Sequence, residues 1–410
     1  MEDVAAARSL LCAAAVRQRA LEMLAAGLDG KLDHVTIDLD SLGVAAQFVS
    51  ELVRVTYPDL KVPFHARWRH FAVGGRDLWA ERAAQARWTS PAAKARAEFD
   101  LAITSVLLDA GAGASWKYLD APTEQVLSRS EGLAVASLRM FEAGSFSADP
   151  ADPLRADAER LMLLSHEDIA RDFQSMVNNR LVGVEGRADL LARLGAAAAA
   201  KPDVFARHDR ARPGGLYDLL AEQAQDGRLA APRILEALLE HLGAIWSSRL
   251  SLGAVPLGDT WRHPAIKRTD PTDGFMPLHK LSQWLSYSLI EPLQRSGIAV
   301  TDIDGLTGLA EYRNGGLFVD AGVIRLRDPD QAARPNPLDS ALVVEWRALT
   351  VALLDRIAPL VREQLGITAE AFPLARVLEG GTWAAGRRLA REKRPDGSPP
   401  IAVASDGTVF

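Results

Sequence analysis

The residues best suited to chemistry fall in three stretches. The first, VPFHARWRHF (62–71), gathers His65, Arg67, Trp68, Arg69 and His70 between two phenylalanines. Pro63 suits the first turn of a helix, and on a helix Phe64, Trp68 and Phe71 would share one face with the cations flanking it. Such a face could be an aromatic floor rimmed by cations, able to stack a planar group and hold phosphate or carboxylate. It could equally be the edge of a core helix whose arginines snorkel to water. The loop VGGRD (73–77) that follows allows close backbone approach and favours the first reading.

The second stretch is TDGFMPLHKLSQWLSYSLIEPL (272–293). From Pro277 it reads as a helix with two stripes. Leu278, Leu281, Leu285 and Leu289 form an apolar face, while Lys280, Trp284, Tyr287 and Glu291 fall on the other side. A solvated face rarely spends both Trp and Tyr, so the second stripe is either another helix contact or one wall of a cleft with His279 and Lys280 near its mouth. The third stretch, TDIDGLTGLAEYRNGGLFVDAGVI (301–324), packs Asp302, Asp304, Glu311, Arg313 and Asp320 around glycines. Asp320 interrupts what reads as an apolar strand, and a carboxylate there is either paired or lies exposed at a strand end. Asp302 and Asp304 alone make a weak divalent-ion signal. Smaller aromatic-basic pairs are Trp116 with Lys117 in SWKYLD (115–120) and Trp383 with Arg387 in GGTWAAGR (380–387). A phosphate loop, a dinucleotide fingerprint, a GxSxG elbow and an HExxH motif are all absent from the sequence.

The elements that must position these residues are mostly helical. Helix formers with apolar returns at three- and four-residue spacing predict helices over 4–27, 42–56, 91–110, 123–142, 152–175, 215–225, 231–248, 276–295 and 338–365. Ser90-Pro91, Asp152-Pro153 and Thr123-Glu124 are their clearest start signals. Short strands are expected at 34–39, 298–303, 316–326 and 400–405. Nothing alternates in the way a doubly wound sheet requires, so the expected class is mainly α, a large helical domain with a small β element. Stretches 143–153, 207–215 and 327–339 read as hinges. Two helical lobes, 1–145 and 146–410, are one expectation; a single continuous domain with the site between them is the other.

The 410 residues carry 47 Lys and Arg against 53 Asp and Glu, a net charge of −6, which does not attract nucleic acid or an anionic membrane in bulk. Any anion site must be a local basic cluster. Cys12 is the single cysteine, so an intrachain disulfide and a CxxC zinc site are excluded and a reducing compartment fits. Acidic Glu2 and Asp3 precede the first apolar run, unlike a signal peptide, and no apolar run reaches the roughly 20 residues that span a bilayer. A cytoplasmic location is expected.

VPFHARWRHF, PLHKLSQWLSYSLIEP (277–292) and DGLTGLAEYRNGGLFVDAGV (304–323), with SWKY, SEGLA (130–134) and GTWAAGR, resemble a family of fungal and bacterial proteins tied to uracil catabolism and catalogued as a domain of unknown function. The resemblance covers the chain from about residue 4 onward. It implies a pathway role in which a uridine nucleotide is ring-opened and urea is then released from the sugar fragment. The helical architecture also resembles, by analogy alone, the queuosine-nucleotide glycosylases, which break a ribosyl C–N bond.

Hydrolysis of such a bond needs a carboxylate beside the oxocarbenium ion, a proton donor for the leaving nitrogen and cations for a 5′-phosphate. Asp320, Asp304 or Glu311 could supply the first and His279 or His70 the second. Arg67, Arg69, Lys117, Lys280 or Arg313 could hold phosphate, with Trp68, Trp116, Trp284 and Tyr287 shaping the sugar pocket. The expected partner is a small nucleotide-derived substrate, with no metal or redox cofactor required. The competing readings are a uracil phosphoribosyltransferase, suggested by TDIDGLTG, and a non-catalytic nucleotide-binding or scaffold protein of the same pathway.

Overall fold

Ser90 and Pro91 open one of the most deeply buried helices of the protein. Ser90 Oγ accepts the Ala93 amide at 3.1 Å, and Pro91 brings a φ already suited to the first turn. The helix, Pro91–Leu107, is buried at every position from Ala97 onward. Its polar side chains are therefore paired: Asp100 with Arg212 at 2.5 Å, and Glu98 with the Trp79 indole at 3.0 Å. Alongside it packs Lys280–Arg295, buried without a break from Leu281 to Ile290. The hydroxyls of Ser286 and Ser288 donate to the Ser282 and Trp284 carbonyls at 2.8 and 2.9 Å, which lets serines sit inside an apolar layer.

The computed structural model describes residues 2–109, 111–113, 115–246 and 250–404. A second layer is built on the long helix Ala341–Leu365, which packs against Ala13–Leu28, Leu42–Thr56 and Tyr312–Asp320. Tyr312–Asp320 lies in turn against Trp383–Lys393. The closeness of that pair comes from Gly386, where a Cβ would stand 1.9 Å from the Arg313 carbonyl oxygen. Strands occur as two-stranded ladders: Val35–Ile37 antiparallel to Ile324–Leu326, Thr260–Arg262 antiparallel to Phe275–Pro277, and Ala299–Thr301 parallel to Arg228–Ala230. The chain is mainly α with a minor β component, and its main apolar cluster takes members from Ala13 to Ile401.

Several local expectations are corrected. VPFHARWRHF is not an α-helix: residues 62–66 run extended or bent, and only Arg67–Phe71 close into a 3-10 turn. The strand expected over 316–326 is a helix to Asp320, followed by a strand only at Ile324–Leu326. The cause is Glu311, whose carboxylate caps the Arg313 and Asn314 amides and starts a helix that runs through the paired glycines. Thr123-Glu124 turn a hairpin between Tyr118–Asp120 and Gln125–Leu127, and the helix begins only at Arg129. The span 152–175 holds two short helices, Ala158–Met162 and His166–Asp172. Expectations touching 110, 247–248 and 405–410 lie outside the described residues.

Candidate functional site

The site is best built outward from Arg67, a guanidinium with no exposure to solvent. The bend after Pro63 and the 3-10 turn aim it inward. There Nε donates to Ser105 Oγ at 2.7 Å, and the Arg67 amide donates to Ser288 Oγ at 3.0 Å. Nη1 stands 3.1 Å from Asp109 Oδ1. Asp109 Oδ2 in turn accepts Ser130 Oγ at 3.1 Å. Arg67 Nη2 makes no hydrogen bond among the described residues. The guanidinium carbon lies 5.7 Å from the centroid of the Trp284 ring. Burial pulls this guanidinium below its ordinary value, and Asp109 and Glu131 offset part of that loss.

His70 closes the same side, edge-on to Trp284 at 5.8 Å between centroids. Burial, reinforced by the Arg67 charge, pushes its imidazole down to about 4, so the ring is neutral at physiological pH. His70 Nδ1 and Trp284 Nε1 are both buried without a hydrogen-bond partner among the described residues. His65 stands on the other edge of Trp284, with Nδ1 2.5 Å from Glu379 Oε2 and its ring 5.8 Å from that of Trp383. Glu379 belongs to a π-helical turn, Leu378–Thr382, set between Leu374–Val377 and Trp383–Lys393. Burial opposes its ionisation, but the His65 hydrogen bond and nearby positive charge outweigh burial and hold the carboxyl below its ordinary value.

Lys280 begins the Lys280–Arg295 helix. Its amide donates to Asp259 Oδ2 at 2.9 Å, and Asp259 is itself gripped by both terminal nitrogens of Arg347 at 2.9 and 2.7 Å. Burial lowers the Lys280 ammonium, and the charges of Glu311, Asp109 and Asp259 oppose that shift in part. Glu311 is the N-cap of Tyr312–Asp320. Burial raises its carboxyl, against the pull of the Arg313 and Asn314 amides, Lys280 and His65. At the rim Arg387 Nη1 bonds Glu131 Oε1 at 3.1 Å. An open depression of about 530 Å³ bordered by Trp383, Arg387, Arg388 and Arg391 adjoins the cluster there.

Among the expected site residues, this cluster gathers Arg67, His70, Lys280, Trp284 and Glu311. The others are engaged elsewhere. Asp320 takes both terminal nitrogens of Arg394 at 2.8 and 2.6 Å. It sits at the opposite end of its helix from Glu311, about 13 Å along the axis. Asp304 accepts Arg362 at 2.5 Å and the Leu374 amide at 2.6 Å. His279 Nε2 lies 2.9 Å from the Leu10 carbonyl oxygen, facing the Glu2–Ser9 end of the chain. Arg69 holds Glu291 through both carboxylate oxygens, and the Trp68 indole donates to the Ser288 carbonyl at 2.7 Å. Trp116 donates to the Phe173 carbonyl, Tyr287 to the Thr307 carbonyl and Arg313 to the Gly397 carbonyl. Lys117 is exposed on the 118–127 hairpin side.

Sequence reasoning missed Asp109 and Glu379. Each had a signal: an acidic residue directly before a glycine-containing loop (AGAG) or a Gly-Gly pair. Among the described residues, no group of three or more His, Cys, Asp or Glu side chains is placed to hold a metal ion, and no helix is long and apolar enough to cross a membrane.

Two relatives align over nearly their whole length. Protein urg3 of Schizosaccharomyces pombe is 36% identical over 405 residues, covering 96% of each chain. Uracil catabolism protein 4 of Lachancea kluyveri is 35% identical over 417 residues, covering 93% of each. Residues 9–410 match the family described as Protein of unknown function (DUF1688). With the match spanning almost the full sequence, the chain is a member of the DUF1688 family.

Proposed function

We propose that this protein acts in uracil catabolism, as the name of its Lachancea kluyveri relative indicates for that protein, and that it hydrolyses the ribosyl C–N bond of a ring-opened uridine nucleotide. The observation that carries the reading is the buried Arg67–Asp109 ion pair against the Trp284 indole, with Lys280 and Glu311 within electrostatic reach of each other and of Asp109. In the reaction, the electron pair of the bond between ribose C1 and nitrogen passes to the leaving ureido group. Water adds to C1 and gives up one proton, and a proton is returned to the nitrogen. Urea and a sugar phosphate leave.

Glu311, raised by burial, is suited to face the developing oxocarbenium ion and take the water proton. Lys280, lowered by burial, is suited to return a proton or to hold the phosphate. Asp304 is held by Arg362 and the Leu374 amide, which weighs against the loop around it as a diphosphate cradle and so against a transferase.

The test is urea release from ribosylurea 5′-phosphate by the purified protein. Glu311→Gln is expected to lower kcat by at least about a hundredfold, the scale of a lost acid–base group. Asp320→Asn, remote from the cluster, is expected to retain activity. Absence of urea release, or a fully active Glu311→Gln variant, would overturn the reaction or the role of Glu311 respectively.

A further inference from the structure

Among the described residues, three polar atoms of the cluster are buried with no hydrogen-bond partner, Arg67 Nη2, Trp284 Nε1 and His70 Nδ1, and Asp109 Oδ1 has only its 3.1 Å ion pair with Arg67 Nη1. Buried polar atoms are usually satisfied, and these stand on side chains that pack against the one Trp284 ring or pair with Arg67. Arg67 pairs with Asp109 at 3.1 Å and faces the Trp284 ring, and His70 meets that ring edge-on. Two of the atoms can only donate, one can only accept, and the imidazole nitrogen can do either according to tautomer. This is the complement of a planar group with a carbonyl oxygen on one side and N–H on the other.

We infer that these atoms form a ureido subsite, in which Arg67 Nη2 and Trp284 Nε1 donate to the carbonyl oxygen and Asp109 Oδ1 accepts from the terminal amide. The identity of the group rests on the hydrolase reading above; the pattern of donors and acceptors does not. The subsite gives Arg67 a chemical part. As the C–N bond breaks, negative charge develops on the ureido oxygen, and a dry guanidinium stabilises it. His70, neutral beside Arg67, adds no second positive charge and so leaves room for a polar, uncharged leaving group.

The test uses the full chain and two uncleavable probes measured by calorimetry. One is the carbocyclic analogue of ribosylurea 5′-phosphate, which cannot form an oxocarbenium ion. The other is the matching acetate ester, which keeps the carbonyl and the phosphate but has no N–H. The ureido probe is expected to bind at least tenfold more tightly. That preference should collapse in Asp109→Asn and in Trp284→Phe, with both variants checked for an unchanged melting temperature. Equal binding of the two probes, binding of neither, or a preference that survives in both folded variants would overturn the subsite. A preserved preference with no urea release from the cleavable nucleotide would leave the subsite standing and reject the hydrolase. Urea release without any preference would do the reverse.

Discussion

His70 is an imidazole whose surroundings refuse a second charge. Its value of about 4 lies well below the roughly 6.5 of a free histidine, because it is buried and because Arg67 stands beside it. Between pH 6.5 and 4 the unfolded chain therefore binds a proton that the folded chain does not, so stability falls as pH drops through that window and the loss levels off below it. The contribution is on the order of 3 kcal/mol. His70→Gln, which cannot titrate, is expected to flatten that part of the curve in guanidinium unfolding measured from pH 7 to 4. Identical pH slopes for the two proteins would refute the assignment. At this scale the sequence was half legible. Lys280 and Trp284 announced themselves as an inward stripe because a regular helix maps spacing onto a face. Asp109 and Glu379 did not, because one lies just past a helix end and the other in a π turn, where direction is set by packing rather than by period.

Elements carry the site through close backbone contacts, and Gly386 is the clearest of these. Inside a helix, Gly→Ala ordinarily gains up to about 1 kcal/mol. At Gly43, where nothing lies within 4 Å of the added carbon, that gain is expected. At Gly386 the sign should reverse, with a loss on the order of 2–3 kcal/mol, because the new Cβ meets the Arg313 carbonyl oxygen and must push the two helices apart. Guanidinium midpoints for Gly43→Ala and Gly386→Ala check the pair; a stabilised Gly386→Ala would show that the helices yield freely. The sequence foresaw Leu42–Thr56 residue for residue, since helix formers and a clear apolar period coincide there. It misjudged 316–320, where Leu317, Phe318 and Val319 carry strand-like propensity but Glu311 imposes a helix from outside the run.

On the scale of the whole molecule, the cluster is assembled from distant parts of the chain: 65–70, 109–131, 280–284, 311 and 379–387. The Pro91–Leu107 helix is buried by Lys280–Arg295 and Leu216–Gln223, both far along the sequence. A fragment ending at 145 would expose Phe99, Leu101, Ile103 and Val106 to water and leave Asp100 without Arg212. Such a fragment is expected to show no cooperative thermal transition by circular dichroism, whereas the full chain shows one. A sharp transition in the fragment would establish an autonomous first lobe. The helical class was legible from composition and period. The partnership of helices was not, because a period says which face is apolar but not which face covers it.

The π turn at Leu378–Thr382 has a consequence of a different kind. A π turn is a helix carrying a surplus residue. Deleting one residue there would let Leu374–Lys393 wind as a single regular helix, with nearly the same helix content. Because the π turn absorbs that surplus residue locally, the flanking turns would keep nearly the directions they have now. With one of residues 380–382 removed, Glu379 and Trp383, which both face His65, would stand three residues apart instead of four, still on one side of the helix, and Glu379 would lose the wide turn that now sets it against the imidazole. The consequence is local: the extra residue shapes how Glu379 meets His65, while the directions of the helices on either side do not depend on it.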